Sequence, residues 1–124
     1  MSDYFFTEDD LLSLTLDTQE IEVPGSDKKL CIKALSADEV AHANKYFGAA
    51  MKDGQIINAD SLKQWHLYVF QRGVINPETK APLLTAAQVR QVAEQKFSLI
   101  SYMAGKIIEL SSPNKRDILD FEKN

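Results

Sequence analysis

The first apolar pattern along the chain is an alternation that predicts two strands. Apolar and polar residues alternate on both sides of the segment Pro24–Asp27. A period of two is typical of a half-buried strand, and proline, glycine, serine and aspartate are common turn residues. The pattern therefore predicts a β-hairpin over Glu20–Ala34, in which Cys31 faces away from Leu30 and Ile32.

Three helical segments are predicted after the hairpin. In each of them apolar residues recur every three to four positions, which is the period of an amphipathic helix. The predicted helices span residues 37–51, residues 60 or 61 to 72, and residues 85–110. The second carries apolar residues on more than one side, which predicts a central position, and Gly73 provides its stop. Residues 94–96 interrupt the apolar stripe of the third, which favours two helices joined at a kink.

A short motif recurs at two of these helix starts, as LSADEV at residues 35–40 and LTAAQV at residues 84–89. Ser36 and Thr85 stand at N-cap positions, and a Glu or Gln three residues later completes a capping box. Leucine before each cap and valine at the fourth helical position have the spacing of a hydrophobic staple. The repeat therefore indicates two helix starts rather than two halves of a binding site.

The segments outside these elements are predicted to be a loop and two termini. Residues 74–83 contain two prolines, which predicts a loop. Residues 1–19 are acidic and aromatic, and the pair Thr7 and Asp10 offers a cap for a short helix. Residues 111–124 form a charged C-terminal tail or short helix.

The predicted fold class is α+β. An N-terminal β-hairpin packs on a bundle of three to four α-helices in a single domain over residues 20–110. The chain has 124 residues, of which 44% are hydrophobic and 26% charged, and this is the composition of an ordinary globular domain.

Charge and cysteine content narrow the function classes. A formal net charge of −4 weighs against a nucleic-acid partner, because such proteins gain affinity by neutralising phosphates. The N-terminus carries acids where a signal peptide needs basic residues, and we expect neither a membrane partner nor a bilayer-spanning segment. Cys31 is the only cysteine, so an internal disulfide is excluded and a reducing cytoplasm is the expected compartment.

Candidate catalytic and metal-binding residues are few. His42 and His66 belong to neither a His-x-x-x-His nor a Cys-x-x-Cys arrangement. A Cys31–His66 pair would suit nucleophilic catalysis if the fold brought the two together. Cysteine is also a common small apolar residue, and a lone histidine on an amphipathic helix usually lies at the surface. We therefore expect no enzyme activity, no cofactor and no metal.

Three segments follow a particular order along the chain. Residues 20–40 read EIEVPGSDKKLCIKALSADEV, residues 72–89 read RGVINPETKAPLLTAAQV, and residues 121–124 read FEKN. This order resembles that of the tail assembly chaperones of long-tailed bacteriophages and prophages, over nearly the whole chain from about Thr18. The chain departs from the family in one place, because the Trp-Gly that often follows the strand proline is missing after Pro24.

The resemblance implies a non-enzymatic role in phage tail assembly. Such a chaperone binds the tape-measure protein and keeps its apolar helices soluble until the tail-tube protein, a second expected partner, replaces it. The resemblance also implies a location in the host cytoplasm and absence from the mature virion. The family often makes a longer product by ribosomal frameshifting, and codons for Glu122–Asn124 can form a slippery sequence.

Two other functions fit the same sequence. One is a structural tail subunit of the finished virion. The other is a small helical regulator with a helix-turn-helix over residues 59–93, although the loop with two prolines is long for that motif.

A short apolar cluster in the C-terminal tail is the predicted partner-binding site. Ile118, Leu119 and Phe121 lie among charged residues after Pro113. Packing back on the domain and fraying as a tail are the alternatives for this cluster.

Overall fold

The computed structural model describes residues 5–112. The elements in chain order are α1 (Glu8–Leu12), β1 (Thr18–Glu22), β2 (Lys29–Lys33), α2 (Ala37–Ala50), β3 (Met51–Lys52), β4 (Gln55–Ile56), α3 (Ala59–Gly73), β5 (Val74–Ile75) and α4 (Ala86–Ser111). The prediction of an α+β fold with an N-terminal hairpin is confirmed.

The predicted hairpin is formed by the antiparallel strands β1 and β2, with Ile21 opposite Leu30. Its turn is closed by the N–H of Ser26, which donates to the carbonyl of Val23 at 3.0 Å. Gly25 has φ +81°, the left-handed conformation that a type II turn requires after proline. The local turn chemistry therefore sets the register of the two strands.

A third strand, β5, completes the sheet on the other side of β2. The strand order is β1-β2-β5, and Ile75 lies opposite Cys31 in antiparallel register. The prediction that residues 74–83 form only a loop is wrong at its first two residues, because Val74 and Ile75 are buried and paired. Two residues are too few to show a periodic pattern.

Both copies of the repeated motif start helices with complete capping boxes. The N–H of Glu39 donates to the hydroxyl of Ser36, and the Ser36 N–H donates to the Glu39 carboxylate at 2.9 Å. Thr85 and Gln88 repeat this arrangement at the start of α4. The prediction of two capped helix starts is confirmed.

A two-residue turn follows α2. Asp53 and Gly54 have φ values of 51° and 78°, the two positive values of a type I′ turn, and they connect the short strands β3 and β4. Asn58 then caps α3, because its side-chain oxygen accepts from the N–H of Ser61 at 3.1 Å. The helix begins at Ala59, slightly before the predicted start.

Helix α3 occupies the central position that its apolar width predicted, because it packs against both α2 and α4. Its buried apolar residues are Leu67, Val69 and Phe70, whereas Trp65 and Tyr68 are half-buried. The rings of Trp65 and Tyr68 therefore pack against the edge of the core rather than inside it.

Helix α4 bends where its apolar stripe is interrupted. Lys96 has φ −154° and ψ 69°, which are non-helical angles inside an otherwise continuous helix, so the predicted kink is confirmed. Beyond the bend, four fully buried residues of α4 fill the centre of the core: Ile100, Met103, Ala104 and Ile107. Within residues 5–112, no helix is long and apolar enough to cross a membrane.

Candidate functional site

The N-terminal arm, residues 5–16, contains a helix that is stabilised only by local interactions. Asp10 N–H donates to the hydroxyl of Thr7 at 3.1 Å, and Thr7 N–H donates to the Asp10 carboxylate at 2.9 Å. This capping box sets the start of α1, yet α1 buries none of its residues. The sequence therefore specifies a helical turn here without providing a core for it.

Large apolar side chains on this arm are strongly exposed, with exposed fractions between 44% and 77%. They are Phe5, Phe6, Leu11, Leu12, Leu14 and Leu16. Three acids, Glu8–Asp10, lie on the same short helix. A contiguous exposed apolar segment bordered by charge is typical of a protein-binding surface.

The arm also forms one wall of an open cleft against the sheet, which we call the arm cleft. Its volume is about 760 Å³, and it is lined by Leu14, Thr15, Leu16, Thr18, Lys33, Ile75 and Lys80. The carbonyl of Asp17 accepts from the N–H of Ala34 at 2.8 Å, which holds the base of the arm to the end of β2. The exposed apolar lining of the arm cleft therefore comes from the arm, and two lysines lie among its other lining residues.

A second, smaller depression, the aromatic groove, lies between α2, α3 and the end of α4. Its volume is about 180 Å³, and its lining residues are Leu35, Val40, Ala43, Asn44, Phe47, Trp65 and Ile108. The rings of Phe47 and Trp65 are 5.6 Å apart in a tilted arrangement, and Phe47 is 42% exposed. This groove offers an aromatic surface and shares no lining residue with the arm cleft.

The buried carboxylate of Glu39 is fully paired, which indicates a structural role. It accepts from Lys33 Nζ at 2.6 Å, from Arg72 Nε at 2.8 Å and from the Ser36 N–H. Burial alone would raise the pKa of Glu39, but these hydrogen bonds outweigh burial and hold the pKa at about 2. A carboxylate that is ionised and fully hydrogen-bonded is poorly suited to act as a general base at neutral pH.

The residues of the possible catalytic pair have other partners. Cys31 is a half-buried free thiol in β2, opposite Glu20 and Ile75. His66 Nδ1–H donates to the carbonyl of Leu62 at 2.9 Å, and the imidazole ring contacts aromatic rings on α3 and α4. Within residues 5–112, no hydrogen bond links this thiol to this imidazole.

His42 belongs to a separate aromatic stack. Its ring lies 4.4 Å from the ring of Tyr68 and meets Tyr46 edge-on at 5.4 Å. Burial raises the pKa of the Tyr68 phenol above its ordinary value of 10. In the described part of the chain, no three His, Cys, Asp or Glu residues cluster as metal ligands do.

The predicted partner-binding residues Ile118, Leu119 and Phe121 lie outside the described residues, so this prediction stays untested. The structure instead adds the arm, whose short helix was predicted but whose exposure was not. Its apolar residues were visible in the sequence, but only the fold shows that they have no place in the core.

Comparison with known proteins identifies no relative of this chain. A scan against protein-family models and searches of curated proteins and solved structures give no match.

Proposed function

We propose that this chain is a non-enzymatic phage tail assembly chaperone that binds the tape-measure protein. The observation that carries the proposal is the N-terminal arm, a capped helical segment whose large apolar side chains are all exposed. The resemblance of the motif order to tail assembly chaperones supplies the identity of the partner. The arm supplies a surface of the required chemistry.

The arm cleft suits an amphipathic helix. A helix with an apolar stripe gains affinity by burying that stripe against an apolar surface. Leu14 and Leu16, which are 63% and 44% exposed, provide such a surface on the arm side of the cleft. We therefore place the tape-measure helix in the arm cleft, covered by the arm.

Acidic residues on the arm set the expected charge of the partner. Glu8–Asp10 lie beside the exposed leucines, so basic residues flanking the apolar stripe of the tape-measure helix would be attracted to them. Exposed charges are screened at high salt, so this contribution to binding weakens as ionic strength rises. The remaining affinity is apolar and moderate, which suits a chaperone that the tail-tube protein must displace in the host cytoplasm.

A double substitution in the arm tests the proposal. The wild-type chain and the variant Leu11→Ser, Leu12→Ser are each co-expressed with an apolar helical tape-measure segment, and the soluble fraction of that segment is measured. We expect the variant to lose most of the solubilisation. Because α1 buries none of its residues, the variant should have the same midpoint of thermal unfolding as the wild type.

A matched control uses a second exposed apolar pair on the β3–β4 hairpin. Ile56 and Ile57 are 57% and 59% exposed, similar to Leu11 at 56%. The variant Ile56→Ser, Ile57→Ser should keep the tape-measure segment soluble. If the arm variant solubilises as well as this control, the arm is not the binding surface.

A further inference from the structure

The three-stranded sheet has one open edge within residues 5–112. The outer edge of β5 is covered, because the Leu83 N–H donates to the carbonyl of Val74 at 3.0 Å. A bridge between Ile75 and Pro82 covers the next position. At the other edge of the sheet, β1 has a neighbouring strand on one side only, since the strand order is β1-β2-β5. The outer side of β1 therefore has no strand beside it in the described part of the chain.

The hydrogen-bonding register shows which backbone groups of β1 face this open edge. The carbonyl of Asp17 accepts from the Ala34 N–H at 2.8 Å. The Val23 N–H donates to the carbonyl of Lys28 at 3.1 Å, in the same register. In an antiparallel pair, residues that bond to the partner strand alternate with residues whose N–H and C=O point away from it. The residues of β1 that point away are Thr18, Glu20 and Glu22.

Acidic side chains mark this open edge. Glu20 and Glu22 are exposed and lie on one face of β1, because successive side chains of a strand alternate. Ile21 lies between them on the other face and packs against the core. Glu20 is 3.8 Å from Lys29, but both side chains are more than half exposed, so this ion pair is weak. A strand added here would therefore meet two acids with an apolar residue between them.

The chain itself has no segment that complements this pattern. A complementary strand carries two basic residues two positions apart, because opposite charges on neighbouring strands stabilise their pairing. No two of the 14 lysines and arginines are two positions apart in the sequence. Antiparallel pairing of two copies of β1 along their full length would place Glu20 opposite Glu20 of the second copy, and like charges oppose such pairing. The acids therefore select a segment of a different protein.

We propose that the outer edge of β1 binds an extended segment of another protein as a fourth, antiparallel strand. The segment carries Lys or Arg at two positions opposite Glu20 and Glu22, and an apolar residue between them beside Ile21. Main-chain hydrogen bonds with β1 provide the affinity, and the alternation of charge provides the selectivity. This edge and the arm cleft share only Thr18, so the inference does not rest on the proposed function.

A synthetic peptide of alternating valine and lysine, with valine at both ends and at the centre and two lysines between them, is the probe. Amide hydrogen exchange of the full-length chain is measured by NMR with and without this peptide. The amides of Thr18, Glu20 and Glu22 should exchange rapidly in the free chain. When the peptide occupies about nine-tenths of the sites, they should exchange about tenfold more slowly, because only the free tenth exchanges. The amides of Gln19 and Ile21, which face β2 in either case, provide the internal reference.

Modified peptides separate strand pairing from simple charge attraction. In the proposed antiparallel strand, both lysine N–H groups point towards β1 and the central valine N–H points away. Methylation of the two lysine N–H groups should therefore abolish the protection, whereas methylation of the central valine N–H should preserve it. A peptide of alternating valine and glutamate should not bind.

A variant of the chain tests the role of the two acids. Glu20→Gln, Glu22→Gln removes both charges and keeps the backbone, so we expect the valine–lysine peptide to bind about tenfold more weakly. Because both side chains are exposed, the midpoint of thermal unfolding should stay close to that of the wild type. Unchanged affinity in this variant would overturn the proposed selectivity for basic segments.

The remaining outcomes are equally decisive. Slow exchange of the three outward amides in the free chain would show that the edge is already covered, and would overturn the proposal. Equal binding of the peptide methylated at its lysines would do the same, because charge alone would then explain the contact. None of these measurements involves the tape-measure protein, so failure here leaves the proposed function standing.

Discussion

At the scale of single residues, the carboxylate of Glu39 joins three elements. Glu39 lies in the first turn of α2, Lys33 is the last residue of β2, and Arg72 lies near the end of α3. The Glu39 residue is 7% exposed, so its charge depends on these partners for its stability. The three charged side chains therefore link the sheet to helices α2 and α3.

Replacing Glu39 by glutamine should destabilise the fold in a pH-dependent way. Lowering a pKa from 4.5 to about 2 corresponds to roughly 3 kcal/mol of stability. Because the pKa in the folded state is depressed, this stability is complete above pH 4.5 and is lost as the pH falls towards 2. Urea unfolding should therefore show a loss of about 3 kcal/mol for Glu39→Gln at neutral pH and a much smaller difference near pH 2.

Asp38 provides the matched control, since it is the neighbouring acid in the first turn of α2 and is exposed. Asp38→Asn should cost below about 1 kcal/mol, the usual size of a helix-dipole effect. Equal losses for the two variants, or a loss for Glu39→Gln that persists near pH 2, would contradict the role given to the ion network.

The sequence predicts the hydrogen bonds between Glu39 and Ser36 but not the one between Glu39 and Arg72. The capping box with Ser36 could be predicted, because its two residues are three positions apart and the pattern is local. The contact with Arg72 joins residues 33 positions apart and depends on how α2 packs against α3. A pattern along the chain contains no information about that packing.

At the scale of elements, the helix starts and the bend in α4 follow from local sequence, and the third strand does not. The bend at Lys96 lies within the polar segment that interrupts the apolar stripe. Strand β5 has two residues, and its pairing with β2 depends on α3 returning the chain to the sheet. The arm was likewise predictable as a capped turn, but its exposure depends on the rest of the fold.

Close packing of α3 on α4 explains the glycine at the end of α3. A Cβ atom added to Gly73 would lie 2.5–2.8 Å from three side-chain carbons of Ile107, which is fully buried. Overpacking of this kind costs about 1–3 kcal/mol. Gly73→Ala should therefore destabilise the fold in thermal or urea unfolding, although alanine is the better helix former.

Gly48 in α2 is the control for helix propensity, because a Cβ added there meets no atom within 4 Å. Gly48→Ala should stabilise the fold by about 0.5–1 kcal/mol. Stabilisation by both substitutions would show that Gly73 and Ile107 are not as close as described.

At the scale of the whole molecule, the fold class could be predicted because strand and helix periods occupy separate parts of the chain. The candidate binding surface could not be located in the same way. Exposed Leu11 and Leu12 and buried Leu67 are the same type of residue, and only the complete fold distinguishes a core position from a surface one. The identity of the proposed partner is inferred from the motif order, and the proposed binding surface is inferred from the structure.

The distribution of the chain between assembly intermediates and finished particles tests the central claim most directly. Infected or induced cells are fractionated by sedimentation, and mass spectrometry quantifies this chain, the tape-measure protein and the tail-tube protein in each fraction. We predict that the chain accompanies the tape-measure protein in fractions without tube protein and is absent from finished particles. Its presence in finished particles at a fixed ratio to the tube protein would contradict the account and identify a structural subunit.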